Sequence, residues 1–179
     1  MPVVFDASFL IALLDPRVGA GSDDDRGERV NFLVRSLEKT RTRIIVQTPA
    51  LSEVLIGAGD AAARYLDIIS RSSHFKIVPF GTKAAVEAAA AHREAIRAHD
   101  KKEGSASSWQ KVKFDRQIVA IAKVEGAETI YSNDQDIARF SMRDNLQVVT
   151  INQLPLPPEK LQGELTLPIA LDDDGDKSG

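Results

Sequence analysis

Ile130–Phe140 reads IYSNDQDIARF, and the reading of this stretch decides the rest. A β-branched and aromatic lead-in stops at Ser132-Asn133-Asp134, a second carboxylate follows at Asp136, and an apolar rhythm resumes with Ile137. Asn and Asp are what a strand-to-helix turn and a helix N-cap require. The same acids are also what one wall of a metal site requires. The segment by itself leaves both readings open, so its meaning depends on what other parts of the chain bring to it.

Working outward, the pattern repeats. Val3-Val4-Phe5 is a short buried strand that ends at Asp6, and SFLIALLD runs helical until Pro16. The Gly- and Asp-rich residues 17–27 read as a loop, and Val30, Leu33, Val34 and Leu37 then mark an amphipathic helix. RIIVQT is the second strand, with Thr48 as N-cap and Pro49 at the first helical position of the helix carrying Glu53. A helix in AAARYLDIISRS, a strand in FKIVPF and an alanine-rich helix from Lys83 to about His99 follow. KKEGSASSWQKVK reads as a loop, after which FDRQIVAIAKVEG is helical, opened by Asp115 and ended by Gly126. ETIYSN, QDIARFSM and LQVVTI complete the order as strand, helix and strand. Short strands alternating with longer helices predict an α/β layer fold with a mainly parallel sheet and helices on both faces.

Composition narrows the chemistry. The 179 residues are 43% hydrophobic and 27% charged, as in one soluble globular domain. There is no cysteine, which excludes disulfides, thiolate metal sites and cysteine nucleophiles. The apolar N-terminal run carries Asp6, lacks a basic leader and is too short to span a bilayer, so the expectation is a cytoplasmic protein with no membrane anchor. Net charge is −3, but the last seventeen residues are strongly acidic, and the remainder holds 22 Lys and Arg against 21 Asp and Glu. Such a body can bind a cation and still present basic residues to a phosphate chain.

In an open parallel sheet, ligands bind beyond the carboxyl ends of the strands. Asp6, Glu53, Asp115, Asp134 and Asp136 come from four separate segments, and the predicted topology delivers all of them to that edge. Carboxylates gathered there repel one another unless a cation compensates them. Hard oxygen donors without cysteine favour Mg2+ or Mn2+ over zinc or copper. Taken singly, each acid also reads as a turn former, a cap or a solvated surface residue. Lys111, Lys113 and Arg116 flank Asp115 and are candidate contacts to a substrate backbone, and Trp109 is a candidate base-stacking surface. His74, His92 and His99 lie outside the acidic blocks and read as surface or interface residues. A receiver-type domain is disfavoured because Asp6 is followed by Ala7 and Ser8, and a dinucleotide fold because no G-x-G-x-x-G follows the first strand.

Four blocks, VVFDASFLIALLD, TPALSEVLIG, KFDRQIVAIAKVEGA and TIYSNDQDIARF, resemble the PIN domain, a metal-dependent ribonuclease family that includes the VapC-type toxins. The resemblance implies a PIN-like three-layer sandwich with a central five-stranded sheet in residues 1–154, followed by an acidic, Pro-containing tail at 155–179. It implies that Asp6, Glu53, Asp115 and Asp134 hold one or two divalent ions, with Asp136 as a further acid and Ser8, Ser132 and Asn133 in support. The implied activity is an endoribonuclease acting on RNA by a two-metal or one-metal mechanism, with a protein antitoxin as partner. The apolar helical faces of the first half add a homodimer to that expectation. A catalytically inactive binding or scaffold module is the alternative. The Asp-rich loop at 22–25, the segment 100–112 and the tail depart from compact family members.

Overall fold

The computed structural model describes residues 1–18 and 24–158. The expected tail therefore falls almost entirely outside the described residues, as does half of the Asp-rich loop. Five parallel strands, β1 (Val3–Phe5), β2 (Ile44–Gln47), β3 (Phe75–Val78), β4 (Thr129–Tyr131) and β5 (Gln147–Val149), form one sheet in the order β3-β2-β1-β4-β5. The register is unbroken across the middle, with Val4 opposite both Ile45 and Ile130. The helices are α1 (Ala7–Leu14), α2 (Arg26–Lys39), α3 (Thr48–Ala58), α4 (Ala62–Arg71), α5 (Thr82–Arg97), α6 (Trp109–Val124) and α7 (Gln135–Ser141).

Strand alternation divides these helices into two layers. Val3, Phe5, Ile44 and Val46 face α1 to α4, whereas Val4, Ile45 and Ile130 face α5 to α7. Both faces are covered, which is why the strands read as continuous apolar runs. Phe5, Ile45 and Ile130 are buried, and each contributes at most about 1.5–3 kcal/mol of transfer free energy. The result is the three-layer α/β sandwich expected from the sequence.

The strand order turns between β1 and β4, so the loops after these neighbours diverge and leave a crevice at their carboxyl ends. α6 forms one wall of it. Buried Gln47, at the end of β2, fixes that helix to the sheet by donating from Nε2 to the Ile118 carbonyl at 2.7 Å.

Two local readings need correction. Asp115 does not open its helix: α6 begins at Trp109, where the Ser108 hydroxyl accepts the Lys111 N–H at 3.2 Å, and Asp115 lies in the second turn. The Gly/Ser run conceals this start because serine suits a loop and an N-cap equally. Thr48 is the first residue of α3 rather than its cap, and its hydroxyl accepts the Phe80 N–H at 3.3 Å.

Candidate metal centre

The crevice is a cavity of about 740 Å³ lined by Asp6, Glu53, Lys111, Asp115 and Asp134 together with apolar side chains such as Ile11 and Phe114. Asp6 arrives on the residue after β1. Its N–H donates to the Tyr131 carbonyl at 3.1 Å, which locks the end of β1 to the end of β4. Its carboxylate is buried and accepts the Ser132 hydroxyl at 2.8 Å. Burial pushes the Asp6 carboxyl up to about 6, against the Ser132 hydrogen bond, and the charges of Glu53 and Asp134 push the same way.

The Ile130–Phe140 stretch supplies the opposite wall. Ser132 is fully buried; its oxygen also accepts the Asp134 N–H at 3.0 Å, so one hydroxyl orients two acids. Asn133 braces the turn on both sides, giving its N–H to Ser8 Oγ at 3.2 Å and accepting the Ile151 N–H at 2.9 Å. Asp134 caps α7 by accepting the Asp136 N–H at 2.7 Å. The residue is thus both the helix cap and a pocket acid, and the two readings of the segment are compatible.

Asp115 projects from α6 with its side chain almost fully buried. Burial pushes its carboxyl up to about 6, opposed by Lys111 and reinforced by Asp134 and Asp136. Lys111, one helical turn earlier, places its ammonium 2.8 Å from Asp115 and 2.5 Å from Asp134. Partial burial works against that charge, but the two carboxylates outweigh it and hold Lys111 well above its usual range. Glu53 is exposed on α3 at the rim.

Asp136 is buried and turned toward the α5–α6 connection. There the hydroxyls of Ser105 and Ser107 donate to one of its oxygens at 2.7 and 2.6 Å, and Arg139 pairs with the other. Burial raises its pKa, but these partners prevail and leave it below the usual carboxylate range. Ser105 and Ser107 were not foreseen; the only sign of them was the unusual Ser-rich insertion itself.

The flanking basic residues separate. Arg116 does not face the cavity: it is buried, paired with Glu103 at 2.9 Å and His92 at 2.6 Å, and stacked on Phe140 with 4.9 Å from guanidinium carbon to ring centroid. Its spacing from Val112 and Val119 along α6 places it on the buried face. Lys113 is exposed, with its ammonium 6.0 Å from the Trp109 ring centroid, while Lys101 approaches the same ring at 5.4 Å.

The donor set fits a divalent ion. Asp115, Asp134 and Asp136 each offer a carboxylate oxygen, all within 4.8 Å of one another. Asp6 and Glu53 line the same cavity but lie outside that close group, and Lys111 already places a cation between two of the acids. These are hard donors of the kind that suit Mg2+ or Mn2+.

Fold and site together define an α/β protein with an acid-lined crevice at the switch point of a parallel sheet. The PIN domain profile matches residues 3–141, and the chain belongs to that family. Its fold is similar to three solved structures. VapBC2 from Rickettsia felis, bound to a DNA fragment from its promoter, aligns with TM-score 0.59 and 17% identity over 84% of this chain and 98% of that one. DNA-bound VapBC from Salmonella typhimurium gives 0.55 and 15% over 84% and 98%. VapC20 of Mycobacterium tuberculosis, a Sarcin-Ricin loop cleaving toxin, gives 0.50 and 18% over 76% and 92%. No curated protein matches the sequence.

Proposed function

We infer that the protein is a divalent-metal-dependent endoribonuclease in which Asp6, Glu53, Asp115 and Asp134 hold Mg2+ or Mn2+. The observation that carries this reading is the convergence of carboxylates from the β1–α1 junction, α3, α6 and the β4–α7 turn on one cavity at the sheet's carboxyl edge. Membership of the PIN family supports it.

When bound, a hard divalent ion supplies Lewis acidity toward the phosphodiester and lowers the pKa of water. The chain's own residues do the rest. One of the four acids, acting through a water, serves as the base that takes the proton of the attacking water. Ser132 holds Asp6 and Asp134 in fixed orientations, and Asn133 and Ser8 keep the turn that carries them in place. Apolar Ile11, Phe114 and Ile137 line the cavity beside the acids. Lys113 and Lys101, beside the Trp109 ring, form an exposed basic and aromatic surface for the RNA backbone and a stacked base.

Replacement of Asp6 by Asn tests the assignment. The variant keeps its circular dichroism spectrum and loses Mn2+-dependent cleavage of RNA; undiminished cleavage contradicts the reading.

By analogy with the VapBC neighbours we assign the protein to the toxin side of a toxin–antitoxin pair, with a protein antitoxin as partner and the cytoplasm as its location. A small DNA-binding protein encoded directly upstream is the expected companion. Exposed Ile56, Leu66 and Ile68 on α3 and α4 favour a homodimer, which light scattering reads directly. A catalytically silent scaffold has one observation on its side, since Lys111 already neutralises part of the acid cluster. Calorimetric titration with Mn2+ separates the two, because a scaffold takes up no stoichiometric ion.

A further inference from the structure

We propose that Lys111 is a built-in counter-ion that competes with the divalent cation for Asp115 and Asp134, and so sets how readily the pocket loads. The inference rests on the metal-site reading above and adds a residue that regulates it. Its basis is geometric. The Lys111 ammonium lies 2.8 Å from Asp115 Oδ2 and 2.5 Å from Asp134 Oδ2, bridging carboxylates from two separate elements. These same acids belong to the group whose oxygens converge within 4.8 Å. A monovalent ammonium and a divalent ion cannot both sit there, because two cations at contact distance of shared carboxylates repel one another in a partly buried site.

The position of Lys111 in the chain makes the contact intrinsic. It stands four residues before Asp115 on α6, so helical geometry holds the two side chains on one face. Ser108, by capping α6, sets the helix start that brings Lys111 to the cavity. The pairing is also reversible. The Lys111 side chain keeps 43% of its surface accessible while that of Asp115 keeps 4%, so the lysine can swing to solvent whereas the acid stays. Loading therefore exchanges charge-assisted hydrogen bonds for ion coordination, and the apparent metal affinity is lowered by what the ammonium gives up. Among the described residues the other pocket acids, Asp6 and Glu53, have no ammonium partner of this kind, and they leave the cavity negative enough to attract a divalent ion past the lysine.

The test is calorimetric titration of the full chain, stripped with EDTA, with Mn2+. Lys111→Met is expected to bind Mn2+ at least about tenfold more tightly than the wild type, the scale of one charge-assisted hydrogen bond. Lys111→Gln, neutral but still able to donate hydrogen bonds, also tightens, whereas Lys111→Arg retains weak loading. In EDTA, Lys111→Met melts at a lower temperature than the wild type, and Mn2+ raises its melting point by more. Affinities of the wild type and both neutral variants within about threefold of each other, or weaker binding by the variants, overturn the inference and leave the metal site standing. Absence of Mn2+ binding by every protein overturns both.

Discussion

The Ser132 hydroxyl donates to Asp6 at 2.8 Å while its oxygen accepts the Asp134 N–H at 3.0 Å, so a single buried side chain couples the acid after β1 to the acid after β4. Ser132→Ala removes both contacts. The variant is expected to lose about 1–3 kcal/mol of stability, read by urea denaturation, and about 10- to 100-fold in Mn2+ affinity or RNA cleavage, as supporting residues of metal sites do. It also raises the Asp6 pKa further, because the lost hydrogen bond favours the charged form.

The raised Asp6 carboxyl makes stability depend on pH in a defined direction. A carboxyl at about 6 in the fold against 3.8 when unfolded favours the protonated native state, so its ionisation costs stability as pH climbs through that window. At pH 7 the cost is about 3 kcal/mol. In EDTA, Asp6→Asn is therefore expected to exceed the wild type in stability at pH 7, with the gap closing as pH falls to about 4. Mn2+ should reverse the order at pH 7, since only the wild type gains from binding. Denaturant titrations across this range check both signs.

Much of this arrangement was legible from residue patterns, and the limits have physical reasons. Strand alternation and strand-end acids are local features, so β1 and β4, with Asp6 and Asp134 after them, could be read directly. Glu53 and Asp115 could be placed near that edge because parallel topology fixes which ends of the elements meet. The start of α6 was concealed by a run of Gly and Ser whose capping serine looks like its neighbours. The burial of Arg116 follows from its spacing to Val112 and Val119, a signal outweighed by the proximity of its charge to Asp115. The pairing of Ser105 and Ser107 with Asp136 joins residues 31 and 29 positions apart, and no local pattern encodes it.

That clamp yields its own prediction. Ser105→Ala combined with Ser107→Ala removes both hydroxyls from Asp136, whose backbone N–H in turn holds Asp134. RNA cleavage is expected to fall about tenfold, within the range for lost supporting contacts. The helix content should be unchanged by circular dichroism, and wild-type kcat and KM in the double variant would refute a positioning role for the insertion.

Arg116 is buried, so it is expected to act on stability rather than on substrate. Arg116→Ala leaves Glu103 only its longer pair with Arg143 at 4.0 Å and opens space beside Phe140, with an expected loss of about 2 kcal/mol. Lys113→Ala is expected to raise KM for RNA with little change in melting temperature, because Lys113 is exposed beside Trp109. Thermal unfolding and steady-state kinetics on the two variants distinguish these roles.

The central claim is that acids scattered along the chain form one cation site. Anomalous diffraction from crystals soaked in Mn2+ tests it most directly. A peak is expected in the cavity bounded by Asp6, Glu53, Asp115 and Asp134, with the Lys111 ammonium displaced from between the last two. A cavity with no peak and Lys111 still bridging Asp115 and Asp134 would contradict it.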